Sequence, residues 1–378
     1  MKPSFRAVIL LPLLVALAGV PLHAAKKKKK NPDEDGMTLE VSTKQKKKKG
    51  DEDLTQTLPP PKEAPSAVIA DTDRLFFQVS PLSSKGLLSQ QTREAMRALL
   101  RTNHGTSIVK LRAFVAGSGD MRRIQEIAGE VFGAQHVPLP ALSVAQAGLL
   151  PLEGAQVVIE SIGVDKRSLN PNGLAFLSGQ AAPALEQSLE KFRTALRSAG
   201  LEAGDVLKLS CFVSSLEESR IGRHSLDAAF PNAAVNVVQM QRGPVNPGAE
   251  CEGVARLRTA PDALVKYLNP EGALYSQVVL VGAPKLVFSS TQLAFGTQEN
   301  DVKLAFDRLQ RALTAVNAKL DSLVMSHVYL TSMVMADKVR TVRKAFYSAA
   351  SPPASTLLPF EALPSLDASF GVDVVAVQ

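Results

Sequence analysis

The chain has 378 residues and a formal net charge of +7, with 45% hydrophobic and 21% charged residues. This length excludes one small domain, and the hydrophobic content is sufficient for substantial cores. No stretch after residue 25 is apolar and long enough to cross a bilayer, which requires about 20 residues.

Residues 1–25 have the pattern of a signal peptide. Lys2 and Arg6 form a basic start, a long apolar run follows, and the small residues Ala24 and Ala25 suit cleavage by a signal peptidase. We therefore expect a protein exported to the periplasm or secreted. An uncleaved membrane anchor is the alternative interpretation.

Residues 26–64 form a lysine-rich linker that we expect to be disordered, because it has too little apolar surface to offset the entropy of ordering. Its lysine runs suit a tether to an anionic surface of the cell envelope, and a solvated spacer is the alternative. Acidic clusters beside each lysine run argue against nucleic acid as the partner.

The rest of the chain repeats one pattern three times. Each copy has an amphipathic helix, a strand with an aromatic residue at its sixth position, a second helix, and two further strands. A predicted β-hairpin precedes the first helix of each copy. The three aromatic-bearing strands are Val109 to Val115, Leu207 to Val213 and Val324 to Leu330. The sequence therefore predicts three α+β domains of order ββαβαββ, at residues 65–165, 166–268 and 269–378.

Cys211 and Cys251 are the two cysteines of the chain, and both lie on predicted strands of the second repeat. An exported compartment permits a disulfide, but sequence does not place the two Cα atoms within bridging distance. Two buried thiols are the default expectation, and a disulfide stays open.

Several strings resemble the Rid/YjgF/L-PSP family. They are Leu177-Ser178-Gly179-Gln180, Tyr275-Ser276-Gln277, Leu189 through Ala199-Gly200-Leu201 to Asp205-Val206-Leu207-Lys208, and Phe230-Pro231. The resemblance implies a chorismate-mutase-like fold and an assembly of three copies with clefts between them. For this chain it implies an intramolecular pseudo-trimer, with sheets inward and helices outward, that is a monomer in solution.

In the deaminases of that family, an arginine two residues after a strand-opening proline binds the substrate carboxylate. Counting from the prolines of this chain gives Leu142, Ala233 and Ser355 at the corresponding positions. None of these side chains can replace a bidentate guanidinium. We therefore expect that the usual 2-iminoacid is not the substrate.

An acidic residue on the last strand positions the hydrolytic water in the family. Glu160, Glu252 and Asp373 correspond to it, so they are the candidate catalytic residues. The alternative is that each is a strand-end carboxylate held by a neighbouring group. Weaker ligand-binding candidates are Ser178, Gly179, Tyr275, Thr291 and Arg242.

The sequence has no metal-ligand spacing and no complete nucleotide-binding glycine loop, so it predicts no metal and no cofactor. The first hypothesis is an exported Rid-like protein with altered or lost deaminase chemistry that binds a small ligand in clefts between repeats. An enamine or imine deaminase that uses Glu160, Glu252 or Asp373 is the second. The third is a structural or adaptor module tethered by the lysine-rich linker.

Overall fold

A computed structural model describes residues 62–378, apart from 104–105, 118, 218–222, 243–247 and 269–273. The predicted signal peptide, and the predicted linker up to residue 61, lie outside the described residues. Within the described part, no helix is both long and apolar enough to cross a membrane.

Strands and helices follow one another in the predicted order through most of the chain. The first group is β1 (Ala67–Asp71), β2 (Leu75–Val79), α1 (Leu88–Thr102), β3 (Ile108–Ala116), α2 (Arg122–Ala134), β4 (Ala141–Ala147) and β5 (Val157–Val164). The second is β6 (Leu174–Ala182), α3 (Leu185–Ser198), β7 (Val206–Val213), α4 (Arg223–Ala229), β8 (Ala234–Gln239), β9 (Ala249–Arg256) and β10 (Val265–Leu268). The third is β11 (Val278–Val281), β12 (Lys285–Ser289), β13 (Gln292–Phe295), α5 (Glu299–Thr314), β14 (Leu323–Leu330), α6 (Met335–Arg343), β15 (Ala354–Pro359) and β16 (Ala368–Val377).

The strands form three mixed sheets, which confirms the predicted α+β class. The sheet orders are β2-β5-β3-β4, then β10-β11-β6-β9-β7-β8, and β1-β12-β16-β14-β15 with β13 also paired to β16. Each aromatic-bearing strand (β3, β7 or β14) lies between two neighbours. One neighbour is antiparallel to it (β5, β9 or β16), and the other is parallel to it (β4, β8 or β15).

The predicted hairpins are wrong in their pairing. β1 pairs with β12 instead of β2, and β11 pairs with β6 instead of β12. The short connections at residues 72–74 and 282–284 carry the chain from one sheet to the next, and they meet where Thr72 N–H donates to Pro284 O at 2.9 Å. Each first strand therefore covers an edge of a neighbouring sheet, where it satisfies backbone groups that the edge would leave unpaired.

The predicted turn before β6 does not close a hairpin, because the preceding strand β5 ends at Val164 and belongs to another sheet. Gly173 takes φ +93°, a conformation that glycine adopts without strain. Asn170 is fully buried, and its side-chain amide donates to Leu75 O at 2.7 Å. The turn therefore ties the second repeat to the first instead of closing a hairpin.

One face of each sheet packs against helices, as the amphipathic patterns predict. Leu189, Phe192 and Leu196 of α3 are buried in a core with strands β7 and β9. That core contains a disulfide between Cys211 and Cys251, which corrects the default expectation of free thiols. The two residues are opposite each other on antiparallel strands, with Cα atoms 4.1 Å apart.

The opposite faces of the three sheets share two apolar clusters. Phe77, Phe176 and Phe288 lie at matching register positions, opposite Ile162, Val254 and Val375, and they belong to one cluster. A second cluster joins side chains of β3, β7 and β14. Polar and charged residues lie on the same strands between these two clusters, and they form the candidate site.

Candidate functional site

The central and last strands of the three sheets carry polar residues at matching positions. In each sheet one residue of the central strand is directly opposite a predicted catalytic carboxylate: Arg112 opposite Glu160, Ser210 opposite Glu252, and His327 opposite Asp373. None of the three carboxylates is more than 3% exposed. Buried carboxylates require partners, because an unpaired charge in the interior is costly.

Arg112 joins carboxylates of two sheets. Its Nε lies 2.8 Å from Glu160 Oε2, and its Nη2 lies 2.5 Å from Glu252 Oε1. Lys208 adds a second cation, with its Nζ 2.9 Å from Glu160 Oε2. The guanidinium also lies 5.3 Å from the ring centroid of Phe114, a cation–π distance. Arg112 is thus the centre of an ion cluster that spans the first and second repeats.

Asp373 has a separate set of partners. Its Oδ1 lies 2.8 Å from His327 Nδ1, and its Oδ2 accepts from Tyr329 Oη at 2.8 Å and from Ser143 Oγ at 2.5 Å. Lys110 Nζ lies 3.4 Å from the same Oδ2. Since Ser143 and Lys110 belong to the first repeat, this carboxylate connects the third repeat to the first.

His327 links the two groups into one network. Its Nε2 lies 3.3 Å from Glu252 Oε1, while its Nδ1 contacts Asp373. Two cavities of about 30 Å³ each lie beside His327 and Lys208. Each has the volume of about one water molecule. Glu252 Oε2 has no hydrogen-bond partner within the described part of the chain, and Glu252 lines one of these cavities.

The network holds its carboxylates ionised. Burial raises the pKa of Glu160, but Arg112 and Lys208 outweigh burial and lower that pKa to about 2. At Asp373 burial is likewise outweighed, chiefly by Lys110, and its pKa falls well below the usual range. Burial lowers the pKa of Lys110 to about 8, although Asp373 opposes this. Carboxylates with such low pKa values are weak proton acceptors near neutral pH.

The positions expected to hold a substrate-binding arginine are apolar or small. Leu142 is opposite Leu111 on β3, and Ser355 is opposite Ser326 on β14. The register makes Val235, two residues after Ala233, their counterpart in the second sheet. Ala233 itself precedes β8. Whether Ala233 or Val235 is taken as the counterpart, this strand position carries no arginine in any of the three repeats.

A cleft of about 640 Å³ opens beside Leu142, between β4 of the first repeat and β13 of the third; we call it the β4–β13 cleft. Its lining combines apolar, polar and charged side chains, among them Leu142, Val144, Leu293, Thr291, Gln292, Glu63, Arg122 and Glu126. Thr291 Oγ1 lies 3.5 Å from Asp373 Oδ2, so the cleft floor borders the buried network. The predicted candidate Thr291 is therefore in an accessible cleft, whereas Asp373 lies beneath it.

A second depression of about 640 Å³ lies beside β6 and α3, and we call it the β6–α3 groove. Gly179 and Tyr275 line it, as does Gln277. Ser178, by contrast, is fully buried; its hydroxyl donates to Ser276 O at 2.5 Å and accepts from the Ser355 N–H at 2.8 Å. The hydroxyl of Ser178 therefore holds the backbone together and does not face a ligand.

Arg242 lies away from both depressions. Its side chain is 59% exposed, its Nε donates to Gly148 O at 3.1 Å, and the same Nε is 3.9 Å from Glu361 Oε1. This residue connects loops of the three repeats at the surface, so the structure does not bring it to the other candidate residues.

A known family model matches the C-terminal third of the chain. Residues 258–378 match the model of the family described as Endoribonuclease L-PSP. The predicted family resemblance is confirmed for this segment. A search of curated protein sequences found no match.

Solved structures that resemble the chain are distant. A chorismatase is 11% identical with a TM-score of 0.40, covering 84% of this chain and 78% of its own. A YjgF-family protein from Neisseria meningitidis is 18% identical with a TM-score of 0.24, covering 30% and 94%. A protein of the YjgF/YER057c/UK114 family from Mycobacterium tuberculosis is 20% identical with a TM-score of 0.23, covering 30% and 99%.

Sequence reasoning missed the cations of the network. Lys110, Arg112 and Lys208 lie within strands that are otherwise apolar and buried, and His327 takes the position of Arg112 in the third strand. The signal was present, because charged residues are rarely buried unless they are paired. Each acidic candidate had therefore to be considered together with the cation on the neighbouring strand.

Proposed function

We propose that this exported chain folds as one closed pseudo-trimer and binds a small molecule in the β4–β13 cleft, without arginine-dependent deaminase chemistry. Two observations together carry the proposal. Leu142 stands in the open cleft at the position of the family's arginine, and the candidate carboxylates are buried in an ion network.

Contacts between the repeats support the closed arrangement. The N–H of Leu142, on the free edge of β4, donates to Ser290 Oγ of the third repeat at 2.8 Å. The N–H of Ser355, on the free edge of β15, donates in the same way to Ser178 Oγ of the second repeat. Asn236 of β8 donates to Glu160 of the first repeat at 2.8 Å. Each repeat thus contacts the next in a cyclic order.

The electrostatics support lost or altered hydrolysis. Hydrolysis of an imine by this type of site needs an anion-binding cation in the cleft and a carboxylate that can accept a proton from water. Leu142 stands at the position of the first, and the guanidinium that does line this cleft, that of Arg122, is paired with Asp120. The low pKa of Asp373 beside the cleft opposes the second. Binding does not need either group.

The cleft lining suggests the class of ligand. Leu142, Val144 and Leu293 offer apolar surface, while Thr291 and Gln292 offer hydrogen-bonding groups and Arg122 and Glu126 add charged groups. A small molecule with one apolar side and one polar edge fits this lining, as is usual for ligand pockets. The lysine-rich linker would hold the folded part at an anionic surface of the envelope, and retention of a variant lacking residues 26–61 on envelope fractions tests that part separately.

Mass spectrometry of small molecules that co-purify with the exported protein tests the binding claim. A Gln292→Trp variant fills the cleft, and Gln180→Trp, at the matched position of β6, is the control. We expect a ligand that is lost from Gln292→Trp and kept by Gln180→Trp. A ligand profile unchanged in Gln292→Trp would reject the cleft as the site.

A kinetic assay with freshly generated 2-iminoacids tests the loss of hydrolysis. We expect ammonia release no faster than in buffer. Release that exceeds buffer and disappears when Glu160, Glu252 and Asp373 are changed to the amides would instead support the deaminase.

A further inference from the structure

The segment that leads into β1 forms one wall of the β4–β13 cleft. Glu63, Ala64 and Ser66 line this cleft of about 640 Å³. In the sequence they directly follow the lysine-rich residues 26–61. We call residues 62–66 the strap. A ligand in the cleft would contact the strap as well as β4 and β13.

The strap crosses from the first repeat to the third. At one end, the Lys62 carbonyl oxygen lies 3.5 Å from the position that a Cβ on Gly129 of α2 would take, and Ala64 packs against the apolar core of the first repeat. At the other end, the Ser290 N–H of the third repeat donates to Ser66 O at 2.9 Å. The strap therefore bridges the two sides of the cleft.

The Ser290 hydroxyl connects the strap to both repeats. It donates to Pro65 O at 2.7 Å and accepts from the Leu142 N–H at 2.8 Å. Ser178 makes the matched contacts in the second repeat, where its hydroxyl donates to Ser276 O and accepts from the Ser355 N–H. Ser178 is therefore a matched control for the role of Ser290.

The strap is held by few buried groups. Lys62, Glu63 and Ser66 are exposed, and Ala64 and Pro65 are half-buried. Segments with little buried surface detach at a lower free energy than the sheets they lie on. The strap can therefore leave the cleft while the sheets stay folded, and contacts with a bound ligand would hold it in place.

We propose that the strap is a movable wall that couples ligand binding in the β4–β13 cleft to the anchoring of the lysine-rich linker. This inference rests on the proposed ligand-binding function and adds its regulation. A bound ligand stabilises the attached strap, and by reciprocity detachment of the strap weakens ligand binding by the same factor. A load on the linker that detaches the strap therefore releases the ligand.

Cleavage after Lys62 by the protease Lys-C measures detachment of the strap in the purified full-length protein. The residues after Lys62 must leave the cleft to enter the protease, so the rate at which chains beginning at Glu63 appear follows the detached fraction. Mass spectrometry measures this rate. Ser290→Ala should raise it by roughly 3- to 10-fold, as expected for the loss of one hydrogen bond, whereas Ser178→Ala should match wild type. A wild-type rate in Ser290→Ala would overturn the inference.

A tethered occupant tests the coupling without knowledge of the natural ligand. Gln292→Cys, reacted with monobromobimane, places the bimane in the β4–β13 cleft, and Gln187→Cys places it in the β6–α3 groove as the control. The native cysteines form a disulfide and do not react. Bimane at position 292 should slow cleavage after Lys62 by about 5-fold or more relative to the unlabelled variant, and bimane at position 187 should leave it unchanged.

Unchanged or faster cleavage with bimane at position 292 would overturn the coupling. If the co-purifying ligand depends on Gln292 but the bimane does not protect the strap, the coupling alone is rejected. If the bimane protects the strap but no co-purifying ligand depends on Gln292, the proposed function is rejected and the movable wall stands.

Discussion

Arg112 and Glu252 belong to different repeats, yet Arg112 Nη2 lies 2.5 Å from Glu252 Oε1 in the buried centre of the molecule. The guanidinium also forms an ion pair with Glu160 of its own repeat. This relationship makes the acidic residues part of the packing between repeats, and it defines what substitutions in the network should do.

Replacing Arg112 with methionine should strongly destabilise the protein. The change leaves Glu160 and Glu252 buried without their main cation, and breaking a buried pair from one side costs about 3–5 kcal/mol. Urea unfolding measures the loss. The control is Arg122→Met, since Arg122 is 75% exposed and its ion pair contributes little. Equal unfolding midpoints for the two variants would show that the network is not structural.

The stability of wild type should fall steeply in acid because of Glu160. Its pKa is lowered from 4.5 to about 2 in the folded state, so its contribution is present above pH 4.5 and is lost as the pH falls towards 2. The shift corresponds to roughly 3 kcal/mol. Unfolding free energies at several pH values should show a shallower decline for Glu160→Gln than for wild type. Parallel curves would contradict the assignment of this pKa to Glu160.

Gly179 and Glu250 should be coupled energetically. Gly179→Thr forces a side chain into the Glu250 carboxyl, and overpacking of this kind costs about 1–3 kcal/mol. The same change in a Glu250→Gly background recreates the pair found at Thr291 and Gly371 and should cost clearly less. A double-mutant cycle from urea unfolding measures the coupling. Additive costs would mean that the two side chains do not compete for one space.

The disulfide between Cys211 and Cys251 should survive denaturation without a reductant. Alkylation of the unfolded, unreduced protein should label neither cysteine, and both should be labelled after reduction. The bond restricts the unfolded chain by closing the loop between the two cysteines. Without it, the Cys211→Ala/Cys251→Ala variant should be less stable by about 2–4 kcal/mol. Two labelled thiols in the unreduced protein would contradict the bond.

The sequence predicted the helices and the repeated strands because both depend on local patterns. Leu189, Phe192 and Leu196 follow helical spacing, and they are buried as that spacing requires. The partners of β1 and of β11 could not be predicted from the sequence, because a strand's partner depends on which neighbouring sheet edge is open. A short connection such as residues 72–74 fits a hairpin as well as a crossing between sheets.

The acidic positions of the site were predictable, but their role was not. Glu160, Glu252 and Asp373 could be aligned from the repeats alone, whereas their partners Lys110, Arg112 and His327 come from other strands and in part from other repeats.

Sedimentation equilibrium of the purified protein tests the central claim, that one chain supplies all three repeats around the shared network. The account predicts the mass of a single chain at every concentration, since the inter-repeat contacts of Arg112, Leu142 and Ser355 are all made within one molecule. A concentration-dependent trimer, or any larger particle at the lowest concentrations, would contradict it.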